Sequence, residues 1–267
     1  MLVTDPSQVY TMPLIVGPVF DRQARPGRVY WRLETLAASF RTDRDAVLPL
    51  VPDCFEVPQD PMITISFGDY DQVDFMAGGG YRVAYAGVSA RFEGEETVDG
   101  LHILVMWENE TLPIVTGREL IGIPKMHADI SPIRGVVDDT FRATAAVWGH
   151  EVMRIEATTF RKQNVVVRRT AQKRVNSVPW LGYKYIASFD GPPDAAYPTI
   201  VWNEAEIDEL WFAEHAEVGF GHADEADLGQ LAGIPRVLSG IPLGELVFAS
   251  RARGSAVLAL NRSHRLE

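Results

Sequence analysis

Apolar and polar side chains alternate with a period of two along most of this chain. "VYWRLETLAASF" from Val29, "MITISFGDY" from Met62, "RVAYAGVSARF" from Arg82 and "LHILVMW" from Leu101 each read as a strand. All four are rich in β-branched and aromatic residues, which suit a pleated, half-buried surface. "FRATAAVWGHEVMRIEATTFRKQ" reads as a hairpin turning at Gly149-His150, with Arg142, Thr144, Arg154 and Glu156 on a wet face. "NVVVRRTAQ" reads as a continuation of that meander, and "LGYKYIASFDGPP" as a strand stopped by its Asp-Gly-Pro-Pro turn. "TIVWNEAEIDELWFAEHAEVGF" and "GELVFASRARGSAVLAL" supply the last long strands.

The period changes in two places. "RTDRDAVLPLVP" offers Thr42 or Asp43 as an N-cap for a short helix closed by Pro52, and "DEADLGQLAGIP" reads as a short helix or turn. No repeat and no compositional break is visible. The pattern therefore predicts a mostly β (α+β) fold: an arm over residues 1–28, then a single domain over 29–262 whose antiparallel sheet closes to hide its edges.

Composition narrows the function. A formal net charge of −11 argues against nucleic acid, since phosphate binding needs a basic face. No uncharged apolar run approaches the length of a membrane span, and the first 20 residues lack a signal-peptide pattern. Cys54 is the single cysteine, which excludes an intrachain disulfide and suits a reducing, cytoplasmic location. The six histidines show no metal-binding spacing; His127 and Asp129 are a weak pair. Gly78-Gly79-Gly80 lacks the Lys-Ser/Thr of a phosphate loop, and no nucleophile elbow occurs.

One stretch carries chemistry. "GRELIGIPKMH", Gly117 to His127, places Lys125 among Ile121, Ile123 and Met126, in a chain with four lysines. Such a lysine can lay its stem on apolar neighbours and keep its ammonium in water. Held out of water, the charged form is disfavoured, and a free amine can attack a carbonyl carbon to form an imine. The imine then withdraws electrons from the adjoining carbon.

"GRELIGIPK" resembles the signature of the acetoacetate decarboxylase family: Gly-Arg-Glu, a few residues, then Pro-Lys. "FRTDRDAVLPLVP", "ENETLPIVTGREL", "NSVPWLGYKYIASFDG" and "ELWFAEHAEVGF" extend the resemblance over roughly residues 29 to 260. It implies a double β-barrel-like fold, a homo-oligomer, no metal and no organic cofactor. Lys125 would be the Schiff-base lysine, with Gly117, Arg118, Glu119 and Pro124 supporting its loop. Three departures stand out. Met126 occupies the place of the family's second lysine. Leu33 lies near its early-strand arginine, with Arg32 one residue away and on the opposite strand face. Ser66 and Val83 lie near its two pocket glutamates.

These departures point away from acetoacetate decarboxylation itself. The expectation is a Schiff-base lyase, of decarboxylase or aldolase-dehydratase type, acting on a keto acid or related carbonyl compound. Tyr81, Val83, Ser66, Ile121 and Met126 would line an apolar pocket, with Tyr81 a possible proton donor. Trp107, Trp148 and His102 are expected in the core. The alternative is a member without catalysis that binds a hydrophobic small molecule.

Overall fold

Fifteen strands hydrogen-bond into one sheet in the computed structural model, which describes residue 5 and residues 8–21, 28–137 and 139–267. Ahead of this sheet, β1 (Gln8–Val9) and β2 (Phe20–Asp21) pair as a small hairpin in the N-terminal arm. The rest of the expected arm, 1–4, 6–7 and 22–27, lies outside the described residues. The large sheet contains β3 (Arg28–Arg41), β4 (Phe55–Glu56), β5 (Met62–Asp71), β6 (Tyr81–Glu93), β7 (Thr97–Glu108) and β8 (Lys125–His127). It continues with β9 (Asp129–Ile130), β10 (Arg134–Gly135), β11 (Phe141–Val147), β12 (His150–Lys162) and β13 (Trp180–Ile186). The last four strands are β14 (Ala195–Val201), β15 (Asn203–Phe220), β16 (Leu246–Ala259) and β17 (His264–Arg265). Among the described residues five α-helices accompany them: α1 (Arg44–Val47), α2 (Thr111–Glu119), α3 (Val165–Ser177), α4 (Glu225–Leu228) and α5 (Gly233–Ser239). Strands hold 50% of the residues and helices 19%, so the chain is mostly β.

The expected closed antiparallel sheet needs correction. Its order, β10-β11-β12-β15-β16-β3-β5-β6-β7-β13-β14-β17, has two separate ends, so hydrogen bonding does not close it into a barrel. It is also mixed, because β7 pairs in parallel with both β8 and β13. The two ends are strands of only two residues, which leaves little edge for another chain to pair with.

Local sequence explains where elements begin and end. Asp43 caps α1 by accepting the Asp45 N–H, and Asp224 forms a capping box with Asp227 at α4. The β11–β12 hairpin turns at Trp148-Gly149, both with positive φ, which suits the right-handed twist of the flanking strands. Trp148 is therefore 70% exposed on the tip, whereas Trp107 and His102 are buried as expected.

"NVVVRRTAQ" is not a strand but the start of α3. Asn164 accepts the N–H groups of Val166 and Val167, satisfying the free helix end despite three β-branched valines. Side chains further along then dock the helix on β15. Gln172 accepts the Ile207 N–H, while Asn176 both donates to and accepts from the Ala205 backbone. Among the described residues no helix is long and apolar enough to cross a membrane.

Strand alternation gives the sheet two apolar faces. One carries the main core, including Leu36, Ile65, Phe67, Trp107, Met153 and Ile155. The other carries a smaller cluster of Val83, Ile103, Met106, Ile121, Ile123 and Val201. Lys125 belongs to this second side, because its Cα partner is Met106.

Candidate active site

Lys125 is placed by a β7–α2–β8 crossover. β7 ends at Glu108, α2 crosses back, and β8 returns parallel to β7 with Met106 opposite Lys125 and Glu108 opposite His127. Two glycines make the return possible. Gly122 has φ +72°, and a Cβ there would lie 3.0 Å from the Lys184 backbone. Gly117, buried on the inner side of α2, touches the Lys125 stem; its missing Cβ would stand 2.6 Å from Nζ. Only a residue without a side chain lets α2 lie on the lysine.

The ammonium group meets an acid that sequence reading passed over. Lys125 Nζ donates to Glu108 Oε1 at 2.7 Å and to the Pro113 carbonyl at 3.2 Å. Both residues are buried, Lys125 to 6% exposure and Glu108 to 1%. The second carboxylate oxygen, Oε2, is buried with no hydrogen-bond partner among the described residues. Burial pushes the Glu108 carboxyl above its usual range, and the Lys125 charge pulls it only partway back. Val83 is the cross-strand partner of Glu108. The carboxylate therefore stands beside the position where the family resemblance led to the expectation of a lost one.

Two tyrosines feel the Glu108 charge, Tyr70 and Tyr81. Tyr70 and Tyr81 meet edge to face, with ring centroids 5.0 Å apart. Burial raises the pKa of both hydroxyls, and the Glu108 charge raises them further. Both therefore stay neutral and able to donate. Burial also raises the Tyr85 hydroxyl, whose hydrogen bonds run to Ser66 and Trp180. Tyr70 is a second residue that sequence reading did not single out. Its signal was parity: register puts Ser66, Gly68 and Tyr70 of β5 level with Tyr85, Val83 and Tyr81 of β6.

The expected pocket residues divide. Tyr81, Val83 and Ser66 share the Lys125 face, and Ile121 packs in the same small cluster as Val83 and Met106. Met126 does not join them. Adjacent strand residues point to opposite faces, and Met126, paired with Trp107, packs on the main core. The expected apolar pocket needs correction as well, since a buried carboxylate stands beside Val83. Around the loop, Arg118 donates to the Lys125 carbonyl oxygen at 2.8 Å. Glu119 accepts the Met12 N–H at 2.5 Å, tying the arm to the loop, and the Pro124 carbonyl accepts the Met106 N–H at 3.0 Å. His127 is exposed.

A cleft of about 660 Å³ opens elsewhere and includes neither Lys125 nor Glu108. Arg32, Glu34, Asp69, Asp71, Glu209 and Arg253 are among the residues that line it. These are mainly side chains of the main-core face. Many are committed to ion pairs: Glu34 binds Arg251 at 2.5 Å and Arg253 at 2.9 Å, and Asp69 binds Arg82 at 3.1 Å. Lys125 and Glu108 lie on the opposite side of the sheet.

Comparison with known proteins agrees with this geometry. The acetoacetate decarboxylase (ADC) family model matches residues 11–251. The acetoacetate decarboxylase of Paraburkholderia phytofirmans is 29% identical over 196 residues, 70% of this chain and 68% of that protein. That of Clostridium botulinum is 26% identical over 200 residues, 72% of this chain and 73% of that one. Among solved structures, an acetoacetate decarboxylase superposes with a TM-score of 0.74 at 21% identity, covering 94% of this chain and 92% of the other. The enduracididine biosynthesis enzyme MppR, solved with the condensation product of pyruvate and imidazole 4-carboxaldehyde, gives 0.68 at 16% identity, with 98% and 97% covered. At these identities the two structures establish the fold.

Proposed function

This chain belongs to the acetoacetate decarboxylase family, and we propose that it is an imine-forming lyase with Lys125 as its nucleophile. One observation carries the reading: a lysine and a glutamate, 2.7 Å apart, are enclosed in an otherwise apolar and phenolic surround. Coulomb attraction favours the ammonium–carboxylate form of such a pair, whereas loss of water favours the amine and the carboxylic acid. A proton moving along the 2.7 Å hydrogen bond interconverts them.

This couple suffices for imine formation. Glu108 takes the ammonium proton, and the free amine attacks the carbonyl carbon of the substrate. A proton moves from nitrogen to oxygen to give the neutral carbinolamine. Glu108 returns its proton to the hydroxyl, water leaves, and a protonated imine stands beside a carboxylate, as the ammonium did before. The imine accepts the electron pair of a breaking bond on the neighbouring carbon, which serves decarboxylation, aldol chemistry and dehydration alike. Lys125 is 6% exposed, so a carbonyl carbon reaches Nζ only when a neighbouring side chain moves aside. Tyr81, kept neutral by burial and by the Glu108 charge, is the proton donor of this reading.

Within this reading the substrate is a keto acid or related carbonyl compound. The chain works without a bound cofactor, as a homo-oligomer in a reducing cytoplasm. Borohydride trapping with a panel of aldehydes, ketones and keto acids, read by intact mass, tests it. An adduct that maps to Lys125 and disappears in folded Lys125→Ala is the expected result. The depth of the ion pair favours a second reading, a non-catalytic member that binds a hydrophobic small molecule. Failure of the whole panel to label folded protein would select it.

A further inference from the structure

The turn that delivers Lys125 is held by a buried hydroxyl 78 residues further along the chain. Thr199 lies on β14, 5% exposed, and its Oγ1 donates to the Ile121 carbonyl at 2.7 Å. β14 is paired on both sides at this point, with Gly182 of β13 and Arg265 of β17, so the sheet fixes where the hydroxyl stands. The glycine opposite makes room for the turn to approach. A Cβ on Gly182 would lie 2.6 Å from Thr199 Oγ1 and 2.8 Å from the Gly122 carbonyl oxygen. Gly122 itself rests on the backbone of Lys184, two residues along β13. The β13–β14 hairpin is thus the seat of the turn, and Thr199 is its polar fastening.

Two backbone hydrogen bonds carry this anchor to the amine. Ile123, two residues past Ile121, donates its N–H to the Gly117 carbonyl at 3.1 Å and accepts the Lys125 N–H at 2.8 Å. Gly117 is the residue that lies against the lysine stem. A shift of the turn therefore reaches both the backbone that bears the amine and the helix that sets its reach toward Glu108. Without the hydroxyl the buried Ile121 carbonyl loses its partner, a cost that drives the turn toward another donor. We propose that Thr199 is a positioning residue for Lys125, holding Nζ where it meets Glu108 and the substrate carbonyl. It acts through Ile121 rather than on the substrate. The inference rests on the imine-forming reading. Ile200, the next residue of the same strand, points to the opposite face, into the main core, and provides an internal comparison.

Thr199→Val, Thr199→Ser and Ile200→Val test this. Each is trapped with borohydride and pyruvate, acetone or benzaldehyde over a range of pH, and the rate of Lys125 labelling is followed. Thr199→Val keeps the shape of the side chain and loses the donor. Its labelling rate should fall about ten-fold or more, because a misplacement near 1 Å can cost more than that. The pH midpoint of labelling should move as well, since the distance to Glu108 helps to set the proton balance of the amine. Thr199→Ser should keep both near wild type. Ile200→Val should leave both unchanged, although it removes a methyl group from the core side of the same strand. Wild-type rate and midpoint in Thr199→Val would overturn the inference, as would a loss that Thr199→Ser or Ile200→Val shares in full. Should Thr199→Val not fold, Thr199→Cys replaces it, because a thiol is a weak donor; labelling of that variant at the wild-type rate would overturn the inference too. No Lys125 adduct on the wild-type protein from any of the three compounds would instead overturn the imine-forming reading itself.

Discussion

Gly117 lies against the side-chain stem of Lys125, so close that a methyl group on its α-carbon would occupy the space of the lysine's outer carbons. The small residue on α2 thus sets how far the amine reaches toward Glu108. In Gly117→Ala the long side chain is the part that can yield, because the helix backbone is held by its own hydrogen bonds. Lys125 labelling should fall by about ten-fold or more, since a displacement near 1 Å can cost far more than that. Circular dichroism should stay close to wild type. Unchanged labelling in a folded variant would show that α2 does not position the amine.

The buried pair predicts an asymmetric stability cycle. Lys125→Met leaves Glu108 buried without its cation, which costs about 3–5 kcal/mol near neutral pH. The Glu108 carboxyl is already raised by burial in the native protein, and losing Lys125 removes the influence that lowers it. A raised acid contributes stability below its unfolded value and loses it as pH rises through its native value. Urea midpoints of Lys125→Met should therefore approach wild type at acid pH and separate as pH increases. Adding Glu108→Leu should recover most of the loss. With Glu108→Leu also measured alone, a double-variant cost equal to the sum of the two single-variant costs would mean that the pair is not coupled.

His102 gives a pH dependence of opposite sign. It is 5% exposed, its Nδ1 lies 3.1 Å from the Leu181 carbonyl, and burial lowers its pKa from 6.5 to about 4. Nδ1 therefore carries the proton that it donates. Between pH 6.5 and 4 the unfolded chain binds a proton that the native protein refuses, so stability falls as pH drops through that window. The full loss is about 3 kcal/mol at ~1.4 kcal/mol per pH unit. Urea melts at pH 7 and pH 4.5 check this. The difference between wild type and His102→Gln should shrink or reverse at the lower pH, whereas a constant difference would exclude burial of a neutral imidazole.

Some features of this protein were legible from composition and period alone. Alternation marked the strands around Ile65, Ala86 and Val105, because a half-buried strand shows its pattern locally. Lys125 stood out as one of four lysines, set in an apolar stretch, and the resemblance of "GRELIGIPK" to a family signature made it the expected nucleophile. The Asp43 cap was readable, and the hairpin turn expected at Gly149-His150 lies one residue earlier, at Trp148-Gly149, since caps and turns depend on neighbouring residues. α3 was misread where local cues conflict: three valines favour a strand, and Asn164, with the docking of Gln172 and Asn176 on β15, decides for a helix.

What the chain could not state locally is which distant side chains meet. Glu108 closes a strand in sequence and reads as its polar end; only the parallel return of β8 beside β7 brings Lys125 to it. Met126 and Lys125 are neighbours in the same oily stretch, yet the pleat sends one to the main core and the other to the carboxylate. Whether the sheet closes likewise depends on pairings across the whole chain, and here β10 and β17 end it separately. The sequence by itself determined the family, the strands and the amine. Tertiary structure decided the company that amine keeps, because hydrogen-bond distance and loss of water act between residues that the chain holds far apart.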